Sequence, residues 1–364
     1  MDLVWFMIIG MCAMNAIASA CPENCQCRTG KITCKGFIIK EFPASIPPTN
    51  ETQFFISNTS IESLKPTDFK TFAETLTVFV AKDSRIAVVE PHTFDQTKNL
   101  IALGFSGTML TSLPQDLFQN LKALSTLTLS NNKLEVLQPS LFTPLTVLIN
   151  LDLSRNLLTS LPEDAFLGLG KLEQLMLQRN SISMLYSGSF KGLSHLKALF
   201  LQQNHLTDIP AGVFDDLVNL EILHLQDNKI SQLPANLFSN LSKLKKLYLS
   251  NNRLSLLLSV FSNLTEIRLL DLSRNQIQHI SPGAFSGLMK LEEISLHTNR
   301  LTTIEAGIFK GLPKLVNISI ENNLPPNSTT VPEDTCGGQG LSKDKLSIII
   351  AIVSTAVIVG ISVM

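Results

Sequence analysis

The side chains best suited to acid–base chemistry are dispersed along this chain. Histidine occurs at His92, His195, His205, His224, His279 and His297. None of them belongs to the HExxH arrangement that holds a catalytic zinc ion, and the sequence contains no GxSxG nucleophile motif. The sequence therefore predicts a protein that is not an enzyme and that carries no cofactor and no metal ion.

Cysteine is the one reactive residue type that clusters. Cys21, Cys25, Cys27 and Cys34 lie within 14 residues, whereas Cys336 stands alone. In an oxidising compartment such a cluster forms disulfide bonds, and four cysteines allow three pairings among which the sequence does not choose. A zinc site is the competing interpretation, which the absence of a nearby histidine disfavours.

A 24-residue repeat organises most of the chain. Its template is LxxLxLxxNxLxxLPxxxFxxL, and every interval between successive Asn positions is 24 residues except one of 23, between Asn252 and Asn275. Degenerate repeats place Thr59, Ser84 and Thr108 in the same slot, so the sequence predicts twelve turns. The Asn positions are Asn132, Asn156, Asn180, Asn204, Asn228, Asn252, Asn275, Asn299 and Asn323.

Each part of the template has a structural role. The LxL segment alternates inward and outward residues as a strand does, so stacked turns form a parallel sheet. We expect the buried Asn to link neighbouring turns by hydrogen bonds, with a weaker ladder in the first three turns. The phenylalanines should stack into a spine on the opposite side of the coil: Phe94, Phe118, Phe142, Phe166, Phe190, Phe214, Phe238, Phe261, Phe285 and Phe309. The predicted fold is an α/β solenoid, a horseshoe with about twelve parallel strands on its concave face.

Outward residues of the strands are the candidate binding site. Four successive turns supply Met176, Phe200, His224 and Tyr248 at the central outward position, between Asp152 and Asp271. Exposed aromatic clusters with a polar rim are typical of interaction hot spots. The predicted ligand-binding residues also include Gln178, Gln202 and Gln226, with Arg179 and Arg274 as flanking cations.

Glycosylation sequons occur at Asn50, Asn58, Asn240, Asn263, Asn317 and Asn327. We assign Asn58 and Asn317 to outward strand positions in the first and last turns, and Asn240 and Asn263 to the convex side. Glycans would then cover the ends and the back of the coil and leave the centre of the concave face bare.

Both ends of the chain are apolar. Residues 1–20 end in Ala-Ser-Ala and are predicted to be a signal peptide, with an N-terminal membrane anchor as the alternative. Residues 346–364 carry no charge and follow a small-residue cluster and a polar spacer, which favours a glycosylphosphatidylinositol signal over a tailless membrane span. The predicted division is a cysteine-rich cap at 21–49, repeats at 50–326, a stalk at 327–345 and the C-terminal anchor or anchor signal.

The cysteine cluster followed by FPASIPP resembles the N-terminal cap of extracellular leucine-rich-repeat proteins, and the LPxxxFxxL repeats are similar to their typical subclass. Within that family the chain most resembles the non-catalytic subunit of carboxypeptidase N. The resemblance implies a non-enzymatic binding module. One departure is the C-terminal cap, because NNLPPNSTTVPEDTC stands where NPWxCDC is usual. We therefore expect a less well covered C-terminal edge, which either Pro325-Pro326 and the flanking tail or a second chain covers, the latter by self-association.

The leading functional hypothesis is a cell-surface ectodomain that binds a protein or glycan on its concave face, for recognition or adhesion, on the extracellular side of the plasma membrane or in a secreted form. The alternative is a regulatory or carrier subunit that binds and protects an extracellular peptidase. A net charge of −1 gives no indication of a basic surface, so nucleic acid is not an expected partner.

Overall fold

The computed structural model describes residues 21–46, 52–305 and 307–323. The predicted signal peptide, stalk and C-terminal anchor lie outside the described residues, as do Asn50, Asn327 and Cys336. The strands are β1 (Cys25–Arg28), β2 (Lys31–Lys35), β3 (Thr52–Ser57), β4 (Ser63–Leu64), β5 (Leu76–Lys82), β6 (Val88–Val89), β7 (Ala102–Ser106), β8 (Thr126–Thr128), β9 (Asn150–Asp152), β10 (Gln174–Met176), β11 (Ala198–Phe200), β12 (Ile222–His224), β13 (Lys246–Tyr248), β14 (Leu256–Leu257), β15 (Leu269–Asp271), β16 (His279–Ile280), β17 (Glu293–Ser295) and β18 (Asn317–Ser319). A one-turn helix α1 (Pro66–Phe69) and 3-10 helices at Lys70–Phe72 and Ser259–Phe261 complete the elements.

One 14-stranded sheet forms the concave face. Strand β1 pairs antiparallel with β2, and from β2 onward each strand pairs in parallel with the strand of the next turn. The central leucines align from turn to turn, as Leu151 pairs with Leu175 and Leu175 with Leu199, and all three are fully buried. The predicted solenoid, with twelve parallel repeat strands and a disulfide-bonded N-terminal cap, is confirmed.

Asparagine side chains connect the turns inside the coil. Asn204 is typical: its Nδ2 donates to the carbonyls of Leu177 and Leu201, both at 3.0 Å. Its Oδ1 accepts the backbone N–H of Ile182, also at 3.0 Å. Each Asn thus satisfies backbone groups of its own turn and of the preceding turn where water has no access.

The residue before the ladder position has a positive φ in every turn, including the turns whose ladder residue is Thr or Ser. This left-handed step ends the strand and turns the chain out of the sheet. It costs a non-glycine residue about 1–2 kcal/mol, least for Asn and Asp. Equivalent side chains therefore leave the coil at equivalent places, and the residues concerned are Asn58, Asp83, Gly107, Asn131, Arg155, Arg179, Gln203, Asp227, Asn251, Arg274, Thr298 and Asn322.

The phenylalanine spine is present but is not one column. Parallel stacked rings run from Phe118 to Phe261 with centroids 5.9–6.4 Å apart, and a second stacked pair joins Phe285 to Phe309 at 5.9 Å. The break between them follows the turn that is one residue short. The prediction was wrong for Phe94, whose ring packs at tilted angles against Phe69 and Phe105. Those two rings belong to an aromatic cluster of the first turns.

The first turns compensate for their weaker ladder. Ser84 Oγ accepts the N–H of Thr59 at 3.1 Å, while Thr59 Oγ1 is buried with no hydrogen-bond partner. Strands β3, β5 and β7 have six, seven and five residues instead of three, so additional backbone pairing replaces side-chain bonds. Disulfides Cys21–Cys27 and Cys25–Cys34 hold the cap at the start of the sheet. The structure thus selects one of the three pairings that the sequence left open.

We predict that Asn204→Ala lowers the free energy of unfolding by about 3 kcal/mol or more, because it leaves a buried N–H and two buried carbonyls without their partner. Urea denaturation followed by circular dichroism measures this change. The matched control is Asn236→Ala, which removes the same atoms from an exposed position and should change stability by less than about 0.5 kcal/mol. Equal losses in the two variants would contradict a structural role for the ladder.

Candidate functional site

The predicted central residues lie side by side on the concave face. Direct register partners are Asp152 with Met176, Met176 with Phe200, Phe200 with His224, His224 with Tyr248 and Tyr248 with Asp271. All six residues are half-buried. The sequence therefore predicted their adjacency correctly, and we call the set from Met176 to Tyr248 the aromatic row.

Three rings of the aromatic row stack on one another. The Phe200 and His224 ring centroids are 5.0 Å apart with an interplanar angle of 19°, and those of His224 and Tyr248 are 4.3 Å apart at 11°. Neighbouring strands lie about 4.8 Å apart, which is close to the distance at which aromatic rings stack. Because the ring faces cover each other, the row presents mainly ring edges to an approaching ligand.

A row of glutamines runs beside the aromatic row, two residues later in each turn. Serine holds this position in the flanking turns, at Ser130, Ser154, Ser250 and Ser273. Gln226 contacts His224 Nδ1 at 3.0 Å. The amide oxygens of Gln178 and Gln202 are buried and have no hydrogen-bond partner among the described residues. An unsatisfied buried acceptor costs about 1–3 kcal/mol, so these two oxygens would gain from a donor on a ligand.

The two acidic residues at the ends of the row are tied to their own strands. Asp152 Oδ1 accepts the N–H of Ser154 at 2.9 Å. Asp271 Oδ1 accepts from the N–H and the hydroxyl of Ser273 at 3.1 and 2.7 Å. These contacts give both carboxylates a local structural role, and each retains a second oxygen that can accept from a ligand.

Titration behaviour distinguishes the two polar rings of the row. Burial lowers the pKa of His224, which the Gln226 hydrogen bond partly offsets, and Lys246 lowers it further. Burial raises the pKa of Tyr248, and so do the nearby carboxylates of Asp271 and Glu293. At neutral pH the row is therefore uncharged between its two terminal carboxylates.

One border of the concave face carries ion pairs between turns. The Glu173–Lys197, Glu221–Lys245 and Glu292–Arg268 pairs all have N···O distances of 2.8 Å. Exposed pairs of this kind contribute little to stability, about 0–1 kcal/mol each. The border was missed in the sequence, although the 24-residue period aligns its members just as it aligns the aromatic row.

The apolar neighbours of the rings were also missed. Ala198, Ile222 and Leu269 occupy the first outward position of their strands, and register places them in one row, interrupted by Lys246. Ile222 and Leu269 are half-buried and widen the apolar centre of the concave face between the aromatic row and the ion-paired border, whereas Ala198 is buried. The repeat template that placed Phe200 and its neighbours at the central outward position also predicts this row, at the first outward position of each strand.

Most described sequons have the predicted placement. Asn317 is exposed on β18, and Asn240 and Asn263 are exposed at equivalent places, each donating from Nδ2 to a carbonyl of the preceding turn. Asn58 was assigned wrongly, because it lies one residue beyond β3, in the left-handed step. The first turn has a longer and more degenerate LxL segment, which obscured the end of the strand.

The described residues include no cluster of three or more His, Cys, Asp and Glu side chains that could hold a metal ion. Over the same residues, no helix has the length and apolar character needed to cross a bilayer. What the geometry offers is a broad, partly apolar concave surface with unsatisfied acceptors.

Models of the leucine rich repeat match residues 74–134, 123–182, 171–230, 218–277 and 265–324, which together exceed half of the chain. The chain belongs to the leucine-rich-repeat family. Curated relatives include bovine leucine-rich repeat-containing protein 3B, 28% identical over 122 residues, which are 32% of this chain and 46% of that protein. Human reticulon-4 receptor-like 2 is 30% identical over 119 residues, 32% of this chain and 27% of the receptor-like protein. The chain thus spans less than half the length of these relatives.

Solved structures share the fold. A chain of the octameric complex of Latrophilin 3, Unc5D and FLRT2 superposes with a TM-score of 0.66 at 23% identity, covering 77% of this chain and 85% of the other. The Drosophila Toll–Spatzle complex gives a TM-score of 0.68 at 20% identity, covering 83% of this chain and 45% of the other. The family assignment of the sequence analysis is therefore correct, but nothing in these comparisons points to the carboxypeptidase N subunit.

We predict that His224 makes the stability of the protein depend on pH. Because burial favours the neutral imidazole, the folded state binds fewer protons than the unfolded state. The stabilising contribution is complete above the ordinary pKa of about 6.5 and is lost as the pH falls below it. The unfolding free energy of the wild type minus that of His224→Phe should therefore fall from pH 7.5 to pH 5, whichever of the two is the more stable at pH 7.5. A value that stays constant or rises would contradict this.

Proposed function

We propose that this protein is a non-enzymatic, extracellular recognition or adhesion module that binds a protein ligand on the concave face, centred on the aromatic row. The observation that carries the proposal is the contiguous set Met176, Phe200, His224 and Tyr248, bordered by the unsatisfied amide oxygens of Gln178 and Gln202. Aromatic anchors surrounded by polar groups are the usual energetic centre of a protein interface.

The ring geometry favours a protein over a glycan as the ligand of this row. Sugars bind aromatic side chains through the open ring face. Here Phe200, His224 and Tyr248 cover one another at 4.3–5.0 Å, so ring edges predominate. Apolar side chains pack well against ring edges, and backbone N–H groups of a protein ligand could donate to the two glutamine oxygens.

The extracellular location is part of the proposal. Two disulfides in the cap suit an oxidising compartment. Among the structural neighbours are the Toll–Spatzle complex and the assembly of FLRT2 with Unc5D and Latrophilin 3. The signal peptide, the C-terminal lipid anchor and the sequon glycans remain proposals from the sequence. The peptidase-carrier alternative has no support among the relatives named above.

We predict that Phe200→Ala/Tyr248→Ala weakens binding of a protein ligand by about 500-fold or more, since two central aromatic anchors cost about 2 kcal/mol or more each. The full-length protein would first be screened against an array of purified extracellular proteins, and the affinity of each hit would then be measured by surface plasmon resonance.

The control for this test is Tyr186→Ala, which removes an exposed tyrosine, 41% accessible, from outside the aromatic row. It should leave the affinity unchanged, and the melting temperatures of all variants verify folding. Hits that bind the wild type and the double variant equally well would refute the concave site.

A further inference from the structure

A second surface is distinct from the aromatic row. The residues just before and just after each ladder asparagine lie at one border of the concave face, because every turn makes the same left-handed step there. Over the eight turns from Asn132 to Asn299, these two positions supply one Lys or Arg in every turn but one, which has His205. The cations are Lys133, Arg155, Arg179, Lys229, Arg253, Arg274 and Arg300, and we call them the basic border.

The basic border is not neutralised by the protein itself. None of its seven cations has a carboxylate oxygen within 4.0 Å among the described residues, whereas Lys197, Lys245, Arg268 and Lys290 elsewhere each contact a glutamate at 2.6–2.8 Å. All but Lys229 are exposed. Over the same eight turns, Asp227 is the one carboxylate at these two positions, and it accepts from Asn251 Nδ2 at 2.6 Å.

Although the net charge of the chain is −1, its charges are not mixed evenly over the two borders of the concave face. The opposite border pairs its cations with glutamates between adjacent turns, while this border leaves them free to bind an external anion. The net charge of the whole chain gave no indication of this row of unpaired cations.

We propose that the basic border binds a linear sulfated polysaccharide. Cations at successive turns form a row about 34 Å long at the usual strand spacing. Five of the seven are arginines, whose planar guanidinium forms paired hydrogen bonds with the oxygens of an oxyanion. A linear chain with regularly placed sulfates can contact such a row along its whole length. The carboxylates of a folded acidic protein have no such regular linear order.

The border lies next to the site of the proposed protein ligand, and two of its cations, Arg179 and Arg274, are the ones predicted from the sequence to flank that site. Arg179 directly follows Gln178 in the chain, and its Nε donates to Gln203 rather than to the aromatic row. A polysaccharide on the border and a protein on the concave face could therefore be bound together. The two tests change different residues, Phe200 and Tyr248 in one and border cations in the other, and they measure different ligands, so the two proposals fail or succeed separately.

The test compares two variants that each remove four positive charges. The border variant is Arg155→Gln/Arg179→Gln/Arg253→Gln/Arg274→Gln, in which glutamine is already native at the equivalent Gln203 and Gln276. The control variant is Lys197→Gln/Lys245→Gln/Arg268→Gln/Lys290→Gln, which removes the paired cations. Binding of the full-length protein to immobilised heparin is measured at 0.05–0.5 M NaCl (about 0.15 M being physiological).

The wild type should bind heparin at physiological salt. The affinity of the border variant should be at least about tenfold lower, and it should depend less steeply on the salt concentration because fewer counterions are released. The control variant should bind within about twofold of the wild type. Equal losses in the two variants would overturn the proposal, since they would show a response to net charge alone. Tighter binding to phosphatidylserine vesicles or single-stranded DNA than to heparin would also overturn it.

Discussion

The hydrogen bonds of the asparagine ladder are the constraint on which the rest of this structure depends. A coil that turns out of a sheet every 24 residues leaves backbone donors and acceptors in a dry interior, where each unsatisfied group is costly. Asn supplies two donors and an acceptor on a short side chain, so one residue connects its own turn to the preceding one. The ladder thereby fixes both the depth of each turn and its register with the next, and the leucines of successive turns are buried in line with one another.

Fixed register converts a sequence period into surface chemistry. Residues at the same outward position of successive turns form a column, in which neighbours lie about 4.8 Å apart along the sheet. Three aromatic residues in one column must therefore stack, as Phe200, His224 and Tyr248 do. Opposite charges in one column become ion pairs, as at the Glu173–Lys197 border. Like charges at two neighbouring positions of the turn become an unpaired row, as in the basic border. One spacing thus accounts for the aromatic row, the ion-paired border and the basic border.

A structural feature could be predicted from the sequence when its position is set by the 24-residue period. The parallel sheet, the buried Asn positions and the adjacency of Met176 through Tyr248 could all be derived from the template, because each is a property of a column. The disulfide pairing could not, because the spacing of four cysteines in the cap follows no repeat. Phe94 and Asn58 were misplaced for a related reason: both belong to early turns in which longer strands and an aromatic cluster replace the asparagine ladder. The unsatisfied oxygens of Gln178 and Gln202 depend on side-chain conformation, which no sequence pattern specifies.

The distribution of charged residues shows why each position of the turn has to be considered separately. With 29 basic and 30 acidic residues, the composition suggests a neutral surface. In the folded coil these charges are sorted by position within the turn, so that one border is neutralised by pairs between turns and the other is not. Ion pairs at exposed positions add little stability, and the unpaired border therefore costs the fold little. A solenoid can accumulate like charges on one border because each turn adds only one cation, and neighbouring cations remain solvated and screened by salt. The binding capacity of such a surface is set by the length of the row, which distinguishes it from the concave site, where four adjacent turns supply the central contacts.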